Sequence, residues 1–197
     1  VNARKGRNVS PIPADHSQNL TGIWPKKVVN YKTVMSDAAS GFTSVTYPFP
    51  VIRMADLYLM YAEALNEKGE DYATVLPWID MVRERSGLQG VKESWDQYVG
   101  NSKYATQTGL RQIIMQERRI ELAFEGHYFW DVRRWKTATT ELTQPLTGWK
   151  VRYGETDVDY YSENLVLVRD FTPKMYFWPI DIGELRKDPN LVQNYGW

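Results

Sequence analysis

The sequence predicts a mostly α-helical protein with one helical hairpin and long irregular loops. Apolar residues recur at helical spacing in three stretches, at 51–69, 75–88 and 110–124. In 1–48 and 136–171 this periodicity is lost and Pro, Gly and polar residues interrupt the chain. With 197 residues, the chain has the length of one domain or of one piece of a larger protein.

Composition excludes several classes of partner and site. Lys plus Arg and Asp plus Glu both number 24, so the chain carries no net charge and we expect no nucleic-acid partner. The absence of Cys excludes disulfides and cysteine-based metal sites or nucleophiles within this chain. No apolar run reaches the length of a membrane-spanning helix. We also expect no cofactor, because the sequence contains no phosphate-binding loop and no zinc motif.

Residues 1–48 predict an irregular, extended lead-in. Pro11, Pro13 and Pro25 exclude long helices, and short extended pieces are expected around 28–34 and 43–47. Loops beyond about 12 to 15 residues are uncommon in compact domains. We therefore expect this lead-in to pack on sequence outside the chain.

Residues 49–88 predict a helical hairpin. Pro50 suits the start of its first helix and Gly69 the position just past the end. Apolar residues cover most of that helix, which predicts that neighbours sandwich it. The second helix is expected to begin at or near Pro77, because an interior proline costs about 3 kcal/mol. The layout resembles one tetratricopeptide-type repeat, which cannot close its own core.

A long amphipathic helix is predicted to follow the loop at 89–108, with Thr108 as its cap. Two acids, Glu117 and Glu121, fall inside its apolar stripe. That stripe contains Leu110, Ile113, Ile114, Ile120 and Phe124. Because a buried carboxylate needs charged hydrogen-bond partners, we expect a structural Glu–Arg network. The arginines expected to supply it are Arg83, Arg85, Arg118, Arg119, Arg133 and Arg134.

Gly126 is expected to mark a kink or a boundary after this helix. Beyond it, a second helical segment places Tyr128, Asp131, Val132 and Trp135 on one face.

Exposed aromatic rings are the candidate ligand-binding residues. The chain has 8 Trp and 13 Tyr, and rings in irregular loops suit the apolar faces of sugars. The candidates are Trp95, Trp149, Tyr153, Tyr160 and Tyr161. For each ring, packing in the core is the alternative. In the same region, Leu165–Val168 predicts a strand, and Asp181 with Glu184 predicts a helix starting at Asp181.

The spacing of Glu117, Glu121 and Glu125 also matches a carboxylate metal site or a glycosidase pair. A metal site is disfavoured because the chain has only two histidines, His16 and His127, and Tyr128 follows Glu125 at the position of a Glu-x-x-His ligand. His127 is interpreted as a packed residue rather than a proton shuttle. We therefore predict no metal site and no catalytic residues, with ion pairing as the role of these acids.

Three motifs in the chain resemble the SusD/RagB family, the glycan-capturing outer-membrane lipoproteins of Bacteroidetes-type bacteria. The longest is 117–135, ERRIELAFEGHYFWDVRRW. The second covers 51–65 and 79–88, with Asp80 where Asn is expected. The third is 188–197, with Tyr195 where Pro is usual.

The resemblance implies that the chain is the C-terminal part of a longer lipoprotein. Its expected segments are an extended lead-in (1–48), a tetratricopeptide-like hairpin (49–88), a loop (89–108), signature helices (109–136), an aromatic loop region (137–173) and a closing motif (174–197). The implied fold is the SusD-like α-helical fold, without enzymatic activity.

The implied function is surface capture of a glycan and its delivery to a SusC-like TonB-dependent transporter. The other implied partner is the N-terminal half of the same protein, which would carry the lipid anchor in the outer membrane. Two alternatives stay open: a carbohydrate-active hydrolase using Glu117 or Glu121, and a helical scaffold that binds a peptide.

Overall fold

A computed structural model describes Pro25 and residues 27–35, 42–150 and 156–197. The chain divides into two compact units. The first unit is Lys27–Phe129. The described helices and strands that belong entirely to the second unit lie in Trp130–Trp197. Eight α-helices and two antiparallel two-stranded sheets lie in the described residues, so the predicted mostly α-helical class is confirmed. The expectations for 1–24, His16 and Tyr153 fall outside these residues.

The first unit begins with a short antiparallel ladder and then forms the hairpin. Strands β1 (Val34–Met35) and β2 (Phe42–Thr43) pair with Val34 opposite Thr43. Helix α1 is Met54–Lys68 and helix α2 is Tyr72–Arg85. Gly69 follows α1 in the left-handed conformation at φ 89°, as expected for a residue just past a helix end.

The expected start of α2 at Pro77 is wrong. The helix begins five residues earlier because the Asp71 side chain accepts a hydrogen bond from the Ala73 amide and caps it. The first turns also bury Val75 and Leu76. This burial offsets the hydrogen bond that Pro77 cannot donate within the helix.

The region expected to be a loop at 89–108 contains short helical turns. They are α3 (Val91–Ser94), a π-helical turn (Trp95–Val99) and a 3₁₀ turn (Lys103–Ala105). Helix α4 then runs Gln107–Glu121. Its cap is Thr106, whose hydroxyl accepts a hydrogen bond from the Gly109 amide, so the prediction of Thr108 was wrong by two residues.

Helix α1 packs on α2 and α4 to form the core of the first unit. Leu59, Val75, Ile79, Leu110 and Ile114 are almost fully buried there. The sandwich prediction for α1 is only partly met, because the described residues leave one apolar face exposed. That face consists of Met54, Leu57, Met60 and Tyr61, preceded by exposed Val51 and Ile52.

The predicted apolar stripe of α4 ends earlier than expected. Ile120 and Phe124 are 62% and 66% exposed, whereas Glu117 and Glu121 turn inward. Gly126, at φ 85°, is a boundary: α4 ends at Glu121 and α5 (His127–Arg134) begins after it. Helix α5 crosses the division between the two units.

The second unit contains more regular structure than the sequence predicted. Helices α6 (Ala138–Glu141) and α7 (Asp157–Tyr160) and strands β3 (Leu146–Trp149) and β4 (Glu163–Leu167) replace the expected irregular region. The strands form an antiparallel ladder with a register shift between Leu146 and Thr147. Strand β4 begins two residues before the predicted segment, because pairing with β3 sets its length.

The C-terminal segment is held by side-chain hydrogen bonds to the backbone. After a 3₁₀ turn (Pro173–Tyr176), helix α8 (Ile182–Lys187) begins next to Asp181, as predicted. The Asp181 side chain caps it by accepting a hydrogen bond from the Gly183 amide. The Gln193 amide exchanges two hydrogen bonds with the Ile180 backbone at 2.8 and 2.9 Å. Within the described part of the chain, no helix combines the length and hydropathy needed to cross a bilayer.

Candidate functional site

The acids of the 117–135 motif lie in a network with basic side chains of the first unit. Arg83 donates a hydrogen bond from Nη1 to Glu117 Oε1. The same guanidinium donates to the Gln89 carbonyl at 2.8 Å and to the Ser94 hydroxyl at 3.0 Å. Glu117 is therefore tied to α2 and to the segment around α3.

Arg53 holds the next two acids together. It donates to both carboxylate oxygens of Glu125, at 2.6 and 2.7 Å, and also to Glu121 Oε1. Arg85 adds a hydrogen bond to Glu121 at 2.7 Å, and the Lys27 ammonium lies 2.5 Å from Glu125. The bidentate contact is the strong geometry for an arginine and a carboxylate. We call these five residues, together with Arg83 and Glu117, the carboxylate–arginine network: Lys27, Arg53, Arg83, Arg85, Glu117, Glu121 and Glu125.

The pKa values of Glu117 and Glu125 are shifted in opposite directions. Desolvation raises the pKa of Glu117, and the charge and hydrogen bond of Arg83 offset only part of that rise. Desolvation also acts upward on Glu125, but the hydrogen bonds from Arg53 and Lys27 outweigh it, so the pKa of Glu125 is lowered. The two ends of the network therefore have different proton affinities.

The network contains partners that sequence reasoning missed. Arg53 was not among the expected arginines, and no periodicity marks it, because it precedes α1 and lies at that helix's N-cap position. Arg133 and Arg134 belong to the second unit, where Arg133 lies over the Phe171 ring at 5.0 Å and Arg134 bonds Asp131 at 2.9 Å. Their pairing with these acids stays a prediction.

The geometry of the network does not suit hydrolysis. A glycosidase needs one acid and one nucleophile or base flanking a sugar, with room for water. The Glu117, Glu121 and Glu125 side chains are only 12–14% exposed, and each accepts at least one charged hydrogen bond. Among the described residues, no group of three or more His, Cys, Asp or Glu is arranged to hold a metal ion.

Aromatic candidates converge in the second unit, at the end of the β3–β4 ladder. The Trp149 ring is 5.6 Å from Tyr161, and Tyr161 is 4.9 Å from Tyr160, both in edge-to-face geometry. Edge-to-face packing is a favoured arrangement of aromatic rings, so the three rings support one another.

A shallow depression of about 300 Å³ adjoins this cluster, lined by Thr147, Gly148, Trp149 and Glu163. Glu163 is the cross-strand partner of Trp149, so both side chains project from the same face of the ladder. We call Trp149, Tyr161 and Glu163 with the depression the aromatic site.

The individual candidates differ in their access to a ligand. Tyr161 is 56% exposed and Trp149 is half-buried. Tyr160 is 2% exposed, and its buried ring packs against the Tyr161 ring. Burial raises the pKa of the Tyr160 hydroxyl. Trp95 lies in the first unit, packed against that unit's core, with the Lys103 ammonium 5.4 Å from its ring. Within the second unit, the structure brings Trp149, Tyr160 and Tyr161 together.

Glu163, Thr147 and Gly148 were missed by the sequence reasoning. The strand at 146–149 has no alternating pattern, so nothing in the sequence indicated that Glu163 lies opposite Trp149.

Comparisons with known proteins agree on one family. The family described as "SusD family" matches residues 6–197. Two curated relatives from Formosa agariphila, SusD-like proteins P25 and P38, are 39% and 28% identical to this chain over 73% of its length. The matches cover 23% and 24% of those proteins, so the chain spans about a quarter of the length of the curated relatives it matches.

Solved structures give the same result. The structure of BT4246 is 27% identical, with a TM-score of 0.76 over 90% of this chain and 28% of that one. A SusD-like protein (BF3747) from Bacteroides fragilis is 30% identical, with a TM-score of 0.61 over 78% of this chain and 28% of that one.

Proposed function

Because this chain belongs to the SusD family, we propose that it binds a glycan at the cell surface without cleaving it and delivers it to a TonB-dependent transporter. Family membership supports glycan binding in general terms. The observation that carries the proposal for this chain is the aromatic site, where an exposed ring and a half-buried ring meet beside a carboxylate.

The chemistry of the aromatic site suits a sugar. Pyranose rings present apolar C–H faces that pack on aromatic rings, while their hydroxyl groups need hydrogen-bond acceptors. Trp149 and Tyr161 supply the rings, and the Glu163 carboxylate supplies the acceptor. The buried Tyr160 ring packs edge-to-face against the Tyr161 ring and holds it in position.

The absence of bond cleavage is argued from the carboxylate–arginine network. Each of its three acids is paired with an arginine, Arg53, Arg83 or Arg85, so none has an unpaired carboxyl group to act as a proton donor. A hydrolase using Glu117 or Glu121 is therefore the weaker alternative. The peptide-binding scaffold has no specific contact in its favour.

The transporter partner, the outer-membrane location and a lipid anchor elsewhere in a longer protein form the rest of the proposal. The exposed apolar face of α1 supports packing against further protein, because Met54, Leu57, Met60 and Tyr61 together make a contiguous surface on one helix. A lone helical hairpin of this type also gains stability from neighbouring repeats.

Affinity electrophoresis of the full chain in gels containing a panel of soluble polysaccharides tests the proposal. We expect retardation by at least one polysaccharide and no release of reducing ends from it. Migration unchanged by every polysaccharide of the panel would contradict glycan binding. Release of reducing ends that the Glu117→Gln or Glu121→Gln variant abolishes would contradict the non-enzymatic role.

A further inference from the structure

The aromatic site carries more acidic than basic side chains. Asp157, Asp159 and Glu163 lie in or beside α7 and β4. Among the described residues from 149 to 163, Lys150 is the one cation, and its ammonium lies 2.9 Å from Asp159. Asp159 therefore largely neutralises the positive charge of Lys150 in the unbound chain.

Among these acids, Glu163 is the cross-strand partner of Trp149, the ring that a sugar would stack on. It is exposed and lies directly across the ladder from Trp149. No hydrogen bond or ion pair with a residue in the described part of the chain engages its carboxylate. As an exposed carboxylate, Glu163 can accept hydrogen bonds from sugar hydroxyls, and its charge acts on a ligand bound beside Trp149.

Arg169 is the next basic residue along the chain after Lys150 and Arg152. Arg169 follows the far end of the ladder and donates to the backbone oxygens of Glu141 and Gln144. In the sequence, residues 151–155 add Arg152 and Glu155, one charge of each sign. The local charge stays negative although the whole chain is neutral.

We propose that the aromatic site selects neutral glycans over glycans that carry carboxylates or sulfate esters, an inference that rests on the proposed function. A neutral sugar stacks on Trp149 and Tyr161 and donates its hydroxyl protons to Glu163. A uronate or sulfate in the same position meets that carboxylate with a like charge. At about 5 Å in water, such a repulsion lowers affinity about fourfold, and less at high salt.

A matched pair of ligands tests the inference. The probe is a neutral polysaccharide that retards the chain, together with the same polysaccharide after oxidation of part of its primary hydroxyl groups to carboxylates. Isothermal titration at low salt compares both ligands with the wild-type chain, Glu163→Gln and Trp149→Ala. Glu84→Gln is the control, because it removes one exposed acid of the first unit.

We expect the wild-type chain to bind the neutral form at least about threefold more tightly than the oxidised form. Glu163→Gln should bring that ratio close to one, Glu84→Gln should leave it at the wild-type value, and Trp149→Ala should weaken both ligands. Equal or tighter binding of the oxidised form, still lost in Trp149→Ala, would overturn the charge selectivity and leave the glycan function intact. Binding that Trp149→Ala leaves unchanged would overturn the aromatic site and its selectivity, and failure of every polysaccharide, neutral or acidic, to bind would overturn the glycan function as well.

Discussion

Arg118 of α4 donates a hydrogen bond from Nη1 to Asp56 Oδ1 of α1 at 2.9 Å, and the arginine side chain is only 3% exposed. His127 Nδ1 lies 4.0 Å from the other oxygen of the same carboxylate. A charge buried this deeply is tolerated because it is paired. The pair therefore fixes how α4 lies on α1, next to the carboxylate–arginine network.

Removing the acid of this pair should destabilise the chain strongly. Asp56→Ala leaves the Arg118 charge buried without this partner, and we expect a loss of about 3–5 kcal/mol in the free energy of unfolding. Urea denaturation followed by circular dichroism measures the loss. The surface control Glu84→Gln should stay within about 0.5 kcal/mol of the wild type. A loss below about 1 kcal/mol for Asp56→Ala would show that the pair is not a structural anchor.

Glu117 and Glu125 should give opposite pH dependences of stability. The raised pKa of Glu117 means that the folded chain keeps a proton that the unfolded chain has released, so stability falls as pH rises from the ordinary glutamate value to the raised one. The lowered pKa of Glu125 contributes stability above the ordinary value, and this is lost as pH falls through the folded value.

Melting curves from about pH 3 to pH 8 for the wild type, Glu117→Gln and Glu125→Gln measure this difference. Compared with Glu117→Gln, the wild type should lose stability as the pH rises. Compared with Glu125→Gln, the wild type should lose stability as the pH falls. Slopes of the same sign in both comparisons would contradict the assignment.

Thr106 and Thr108 offer a matched test of the helix cap. Thr106→Ala removes the hydroxyl that accepts a hydrogen bond from the Gly109 amide, and we expect it to lower the free energy of unfolding by about 1 kcal/mol. Thr108→Ala changes an exposed residue in the first turn of α4 and should cost less than about 0.5 kcal/mol. Equal losses in the two variants would argue against Thr106 as the cap.

Pro77→Ala should stabilise α2. The proline is exposed, so its replacement loses little packing and restores a donor inside the helix. The unfolded chain becomes more flexible, which cancels part of the gain. We expect a net increase of about 1–2 kcal/mol in unfolding free energy, measured by urea denaturation. A loss of stability would mean that the proline ring contributes contacts that outweigh the missing hydrogen bond.

The helices could be predicted from the sequence wherever periodicity and end signals coincide. Gly69 and Asp181 were identified as helix boundaries because each acts through its own backbone or side chain. The helix starts predicted from Pro77 and Thr108 are wrong. Helix α2 starts at the earlier cap Asp71 and helix α4 at the earlier cap Thr106, and buried residues follow each cap.

The aromatic site could be predicted only in part. Local composition identified Trp149 and Tyr161 as candidates, but whether a ring faces solvent depends on strand pairing. The pairing of β3 with β4 brings Glu163 opposite Trp149, and Tyr160 is buried at the end of α7. Arg53 is a similar case, because its partners Glu121 and Glu125 lie about 70 residues further along the chain.

The most direct test of glycan binding at the aromatic site is an isothermal titration that compares the wild-type chain with Trp149→Ala on the polysaccharide that the gels identify. Tyr98→Ala, an exposed tyrosine of the first unit, is the control. We expect at least a tenfold loss of affinity, about 1.4 kcal/mol, in Trp149→Ala and no change in the control. Affinity of Trp149→Ala within about twofold of the wild type would contradict the account.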